Sequence, residues 1–219
     1  MGEHEISISI ADAERNLIEA NNRIAAQNRA LFDEKGIRVF DVVGAIGAGK
    51  TALIELLIDK IKAKYRIAAI AGDMATDVDS TRIRSHGVQA IQIETESECA
   101  LTASFVRDVV KDLDLDNLDL LIIENVGNLI CPSDFILGAH ARITVVSVTE
   151  GNHVVRKHPL LFKLSDVAVI NKMDLAEIVE ANVEEMVSDA LTINPEIKVI
   201  KTSAKTEEGV DSLIAALNL

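Results

Sequence analysis

Two short runs in this chain have residue types and spacing suited to phosphate and purine chemistry. Gly44-Ala45-Ile46-Gly47-Ala48-Gly49-Lys50-Thr51 has the form of a phosphate-binding loop, and Asn171-Lys172-Met173-Asp174 that of a guanine-reading loop. In the first, glycines let successive backbone N–H groups point at phosphate oxygens, and the N-terminus of the following helix adds the positive end of its dipole. Lys50 is placed to neutralise the β- and γ-phosphates, Thr51 to offer its hydroxyl to Mg²⁺, and Ala52 closes the binding run. In the second, Asp174 can accept the N1–H and exocyclic N2–H₂ of guanine. Adenine lacks that donor pattern, so a carboxylate left unpaired in the pocket makes it costly. Asn171 can bond the purine edge and hold the loop, while Lys172 can lay its aliphatic stem across the base. The ordered pair of runs predicts GTP and GDP as ligands.

Magnesium calls for an acidic residue at the end of a neighbouring strand. Asp73 follows the apolar run that starts at Ile67, and Glu124 ends Leu120-Leu121-Ile122-Ile123. Either carboxylate can bind the ion directly or through water, and the two complete a reacting set with Lys50 and Thr51. Gly127, just beyond Glu124, allows the backbone to approach the γ-phosphate, so this loop is where GTP and GDP would be told apart. Ser203-Ala204-Lys205 stands in the position of the further base-contacting loop of GTPases. No water-positioning glutamine or arginine finger is evident. Slow turnover, or a group supplied by an opposite subunit, is the expectation.

The elements that must carry these groups follow from apolar periodicity. Val39–Val43, Ile67–Ala71, Ala90–Ile93, Leu120–Ile123, Ile143–Val148, Val167–Ile170 and Lys198–Lys201 read as strands. Helical patterns lie between them: Leu53, Ile54, Leu57, Ile58 and Ile61 on one face; a helix started by a Thr95/Glu98 capping box and running through Leu101, Phe105 and Val109; a pattern through Ile178, Val183 and Met186; and a closing helix from Val210 to Leu217. Ser80–His86 reads as a short helix or ordered loop. The alternation predicts an α/β fold of the P-loop NTPase kind, a mainly parallel sheet with helices on both faces and ligands at the strands' carboxyl ends. Ahead of it, Ile10, Ala13, Leu17, Ala20, Ile24 and Leu31 form an apolar stripe on an N-terminal amphipathic helix, with Ser9 and Asp12 as its cap and Gly36 as its stop. Residues 1–36 are thus read as a helical extension packed on the same domain, in preference to a dimer-forming helix, and 37–219 as the nucleotide-binding domain.

A net charge of −13 over 219 residues disfavours nucleic acid and anionic membrane surfaces as partners. No apolar run reaches the roughly 18 residues of a membrane span, and Met1-Gly2-Glu3-His4-Glu5 has no signal layout, so a cytoplasmic protein is expected. Two cysteines, Cys99 and Cys131, are too few for a disulfide framework and are expected to be reduced there.

The phosphate loop, Ala71-Gly72-Asp73, the run Glu124-Asn125-Val126-Gly127-Asn128-Leu129-Ile130-Cys131-Pro132, the 171–174 motif and the early helix together resemble the nickel-incorporation GTPase family of nickel–iron hydrogenase maturation. The resemblance runs from about residue 10 onward, and the 124–132 run separates it from the related urease accessory GTPase. It implies a slowly hydrolysing GTPase that forms a nucleotide-dependent homodimer. The implied partners are a second hydrogenase accessory protein and the hydrogenase large subunit. It also implies Ni or Zn ligands at Cys99 and Cys131, beside a histidine whose place Ala100 takes here. Two thiolates make a poor cage, whereas a two-fold dimer brings four together in the tetrahedral set that suits Zn²⁺ and can accept Ni²⁺. A Cys99 in the first turn of its helix would gain thiolate character from the dipole. The alternatives are two buried structural cysteines, and a nucleotide-gated interaction protein whose cysteines hold no physiological metal. His86 or His140 could supply the missing nitrogen. His4 alone cannot make the nickel-storing N-terminal stretch of some family members.

Overall fold

Short β-branched runs pair side by side in the computed structural model, which describes residues 10–73, 76–95 and 98–219. The elements in chain order are α1 (Ile10–Lys35), β1 (Arg38–Gly44), α2 (Lys50–Ile61), β2 (Ile67–Asp73), α3 (Val78–Arg84), β3 (Gln89–Glu94), α4 (Ala103–Val109), β4 (Leu120–Glu124), β5 (Ala141–Ser147), α5 (Val154–Lys157), α6 (Pro159–Lys163), β6 (Val167–Asn171), α7 (Val183–Ile193), β7 (Lys198–Lys201) and α8 (Val210–Ala216). The strands form one seven-stranded sheet in the order β3-β2-β4-β1-β5-β6-β7. Every pairing in it is parallel. β1, which feeds the phosphate loop, therefore lies at the centre, and the chain leaves it on both sides. That reversal opens a crevice at the carboxyl ends.

Alternate residues of each strand divide the core. Phe40, Val42, Ile122, Val145 and Val169 pack beneath α2 and α8 on one face. Val39, Ile70, Leu121 and Ile123 pack against Phe32 of α1 and Val106 of α4 on the other. A further cluster on that second face joins Val146, Ala168 and Ile170 to α5, α6 and α7. Asp41 and Arg142 are register partners between the last two clusters, and both are buried. A polar seam thus divides the apolar filling of that face.

Three expectations need correction. Among the described side chains of α1 the buried ones are Asn21, Ala25, Asn28 and Phe32, while Leu17 is 64% exposed. The contact face is thus rotated from the apolar stripe, because the two asparagines find backbone partners: Asn21 Nδ2 donates to Ile136 O at 2.8 Å, and Asn28 Nδ2 to Ala103 O at 2.8 Å and Leu137 O at 3.2 Å. A buried amide with such partners is no longer penalised. His4, Ser9 and the side chains of Ile10 and Ala13 lie outside the described residues. Gly36 does end α1, in a left-handed conformation (φ 68°), with Ile37 N–H returning to Phe32 O.

Second, Thr95 and Glu98 do not form a capping box, since Thr95 Oγ1 donates to Glu98 O at 2.7 Å. The helix begins only at Ala103 because the preceding N–H groups are taken from elsewhere: Leu101 N donates to Asn125 Oδ1 (3.0 Å) and Ala103 N to Asn21 Oδ1 (2.8 Å). Cys99 therefore stands in a bend before α4, where a helix dipole does not reach it. Third, α7 starts at Val183, capped by Asn182, which leaves Ile178 in a turn. Among the described residues no helix is long and apolar enough to cross a membrane.

Candidate functional site

The end of β1, the start of α2 and the end of β4 enclose a cleft of about 310 Å³ whose walls include Gly47, Lys50, Thr51, Asp73, Glu124 and Gly127. Lys50 is buried and donates to Gly44 O and Ala45 O, each at 3.2 Å, so its ammonium spans the phosphate loop from within. Burial holds its pKa below the ordinary lysine value, against the pull of Glu124 and Asp79. Thr51 Oγ1 lies 2.8 Å from Glu124 Oε1 and 2.9 Å from Asp79 Oδ1. One hydroxyl hydrogen serves both carboxylates, an arrangement a cation would relieve.

The acid at the strand end is thus Glu124. Burial pushes its carboxyl up to about 7, and its Oε2 is buried with no hydrogen-bond partner. An oxygen buried without a partner, a threonine hydroxyl and a second carboxylate within reach match the all-oxygen donor set of Mg²⁺. Asp73 shares the cleft and is tied to Thr76 Oγ1. Asp79 is a site residue the sequence reading did not single out, and Arg82, one turn on along α3, is another wall of the same cleft. Its guanidinium grips Glu55 of α2 in a two-point pair (2.9 and 2.6 Å). The available signal was the Asp79/Arg82 spacing on a short helix directly after β2.

Asn171 organises the other end. Its side chain is buried: Nδ2 donates to Ala48 O (2.9 Å), and Oδ1 accepts from Thr202 Oγ1 (3.1 Å) and Ala204 N (3.2 Å). One side chain thereby clamps the phosphate loop to the 203–205 loop. Gly49 must be glycine, since a Cβ there would stand 2.3 Å from Asn171 Nδ2 and its φ is +98°. Lys172 takes a left-handed conformation (φ 63°), and Ser203 Oγ donates to Asp174 Oδ1 at 2.6 Å. The hydrogen bonds of Asn171 and Ser203 thus bring the phosphate loop at Ala48, the 171–174 run and the 203–205 loop together. Ile46 is 84% exposed at its mouth, and Gly127 lies so close that a Cβ would meet Ile46 Cγ1 at 2.4 Å.

The loop after Glu124 leads directly to the cysteines. Asn128 N donates to Gly44 O (3.0 Å), and Asn128 Nδ2 lies 3.3 Å from Cys131 Sγ. Cys131 and Cys99 are joined by a disulfide, their Cα atoms 6.0 Å apart, where reduced thiols were expected. Tertiary packing, invisible in the spacing of 32 residues, brings the pair together within one subunit. Ala100 is buried beside it and supplies no nitrogen. His86 is engaged by Asp59 (2.8 Å), and His140 lies between Val39 N (3.0 Å) and Asp33 Oδ1 (2.9 Å), so neither takes the missing histidine's place. Among the described residues no three His, Cys, Asp or Glu side chains group as a metal site.

Comparison with known proteins agrees with this geometry. The family described as CobW/HypB/UreG, nucleotide-binding domain, matches residues 38–201. The chain is 48% identical over 207 residues to a probable hydrogenase maturation factor HypB of Methanocaldococcus jannaschii, covering 94% of each chain. Among solved structures, hydrogenase maturation factor HypB from Archaeoglobus fulgidus is similar with a TM-score of 0.85 at 45% identity, over 91% of this chain and 98% of that one. HypB from Helicobacter pylori, in complex with nickel, also gives a TM-score of 0.85, at 34% identity over 91% of this chain and 94% of the other.

Proposed function

We propose, from the premise that this chain belongs to the CobW/HypB/UreG nucleotide-binding family and within it to the HypB hydrogenase maturation factors, that it binds GTP, hydrolyses it slowly to GDP and phosphate, and assists nickel insertion into nickel–iron hydrogenase. Lys50 and the backbone N–H groups of residues 44–51 hold the phosphates, and Asp174 selects guanine. Thr51 and Glu124, with Asp79 or Asp73 directly or through water, hold Mg²⁺, which supplies charge neutralisation at the β- and γ-phosphates when bound. Slow turnover follows from the lack of a water-positioning glutamine. Nickel or zinc is carried as cargo on Cys99 and Cys131 in their reduced form. A homodimer formed with nucleotide adds the second pair of thiolates, and the second accessory protein and the hydrogenase large subunit receive the metal. The protein works in the cytoplasm, with residues 1–36 as an extension of the 37–219 domain.

The observation that carries this reading is the continuity of residues 124–131. The segment starts at the carboxylate that touches Thr51 and ends at the sulfur that meets Cys99. Nucleotide state then sets metal geometry, and hydrolysis lets the metal pass on. Titrating Ni²⁺ into the reduced protein saturated with GDP or with a non-hydrolysable GTP analogue tests it. The affinities are expected to differ on the order of tenfold; equal affinities would remove the coupling.

A second reading draws on the buried Ala100 and the bonded sulfurs. In it GTP gates an interaction with a client, and the cysteines hold no physiological metal. Replacing Cys99 and Cys131 with Ser separates the two, abolishing nickel delivery under the first and leaving function intact under the second.

A further inference from the structure

Asp41, Asn125 and Arg142 form a buried polar chain, of which Asn125 also borders the cleft beside Glu124. Asn125 follows the Mg²⁺-facing Glu124. Its Oδ1 accepts from Val126 N and from Leu101 N, both at 3.0 Å, and its Nδ2 donates to Asp41 Oδ1 at 3.1 Å. Asp41 Oδ2 receives Arg142 Nε at 2.9 Å and Nη2 at 2.8 Å. The same guanidinium donates to Pro132 O through Nη1 and to Phe135 O through Nη2, each at 2.9 Å. The chain therefore starts two residues after Cys99 and ends one residue after Cys131. It passes through the strand that feeds the phosphate loop.

We infer that Asn125, Asp41 and Arg142 are positioning residues that tie the separation of Cys99 and Cys131 to the nucleotide-contacting end of β4. This rests on the proposed link between nucleotide state and metal geometry, and names the residues that transmit it. The Cys131 side is tethered to the phosphate loop directly, through Asn128 N to Gly44 O. Among the described residues, the Cys99 side reaches the segment after Glu124 through the side-chain amide of Asn125, which accepts from Leu101 N. A displacement of Glu124–Asn128 on γ-phosphate binding pulls Leu101 through Asn125, while Arg142 fixes Pro132 and Phe135 to the sheet. The two sulfurs then move relative to one another. Two hydrogen bonds from backbone N–H groups of different segments to one buried oxygen leave little slack, since losing either strands a buried donor.

The test needs no metal. The disulfide is reduced with a phosphine, the protein is saturated with Mg²⁺ and either GDP or a non-hydrolysable GTP analogue, and alkylation of Cys99 and Cys131 by iodoacetamide is timed by peptide mass spectrometry. In the wild type the two nucleotides are expected to change the rate on the order of tenfold, and in Asn125→Ala and Arg142→Lys the ratio falls to about twofold or less. Each ratio is taken within one variant at saturation, so an altered nucleotide affinity drops out. Lysine keeps a charge opposite Asp41 but cannot reach two carbonyls at once, which separates positioning from folding. Hydrogen exchange of the Leu101 and Val126 amides in the wild type gives a check free of substitutions: their protection should shift together between nucleotides. A wild-type ratio retained by folded variants, or a shift at Val126 with none at Leu101, overturns the inference. A wild type with no nucleotide dependence at all overturns instead the functional reading beneath it.

Discussion

The two halves of the crevice are built by different means. At the nucleotide end, each run brings its own geometry: Gly44–Thr51 turns on its glycines into α2, and 171–174 leaves β6 through a left-handed Lys172. Asn171, the first residue of the second run, reaches the first by donating to Ala48 O. At the cysteine end Cys99 lies in a bend and Cys131 opens a single 3₁₀ turn, and both bearing segments are held by side chains from elsewhere, Asn21 and Asn28 of α1, Asn125 after β4 and Arg142 of β5. A site written locally keeps its shape wherever its strands pair. A site held by distant side chains is only as fixed as those side chains, and can be moved by them. Binding is thus assigned to the rigid end and response to the adjustable one.

The largest effect expected from breaking this contrast is Arg142→Met. It leaves the Asp41 carboxylate buried with only the Asn125 amide, and removal of one partner of a buried pair costs about 3–5 kcal/mol. Denaturant unfolding of the nucleotide-free protein checks it, and the double change Asp41→Leu/Arg142→Met should recover much of the loss. Asp174→Asn is the matching change at the other end. Among the described residues that carboxylate bonds Ser203 Oγ only, so stability should stay within about 0.5 kcal/mol. The preference for GTP over ATP in competition titrations should fall about 100-fold, because the pocket no longer presents an acceptor to both guanine donors. A stability loss at Asp174 matching that at Arg142, or an unfolding curve unmoved by Arg142→Met, would erase the distinction.

Legibility in the sequence follows the same division. The seven strands and both nucleotide runs were readable because their signals are local, apolar periods and glycine spacing that fix the backbone whatever lies far away. Glu124 was readable for the same reason, as the acid ending an apolar run. The buried face of α1 was not, since Asn21 and Asn28 count as polar until carbonyls of Ala103, Ile136 and Leu137 arrive to meet them. Nor was the late start of α4, because the capping box at Thr95 competes with acceptors from Asn125 and Asn21 that no window of ten residues contains. Asp79 and Arg82 sit in a segment whose helical signal is short, and only the cleft shows what they face. The meeting of Cys99 with Cys131, 32 residues apart in the chain, likewise depends on tertiary packing.

A smaller, graded effect ties the two ends at Glu124. Its carboxyl is pushed up to about 7 by burial, above the ordinary glutamate value of 4.5. Between those values the folded, nucleotide-free protein holds a proton that the unfolded chain has lost. Stability from this group is therefore largest in acid and declines as pH rises from the lower value to the upper. If Glu124 holds Mg²⁺ as proposed, the ion reverses the preference, because only the ionised carboxylate coordinates it. Below pH ~7, Mg²⁺ binding must expel that proton, and affinity should climb up to about tenfold per pH unit before levelling. Nucleotide phosphates also titrate in this range, so the informative quantity is the difference in proton release between wild type and Glu124→Gln. Calorimetry in buffers of unlike ionisation enthalpy measures it. A difference approaching one proton near pH 6 is expected; identical release in both proteins would show that Glu124 enters the site already ionised, and that the strain on its buried, unpaired oxygen is not what metal and nucleotide relieve.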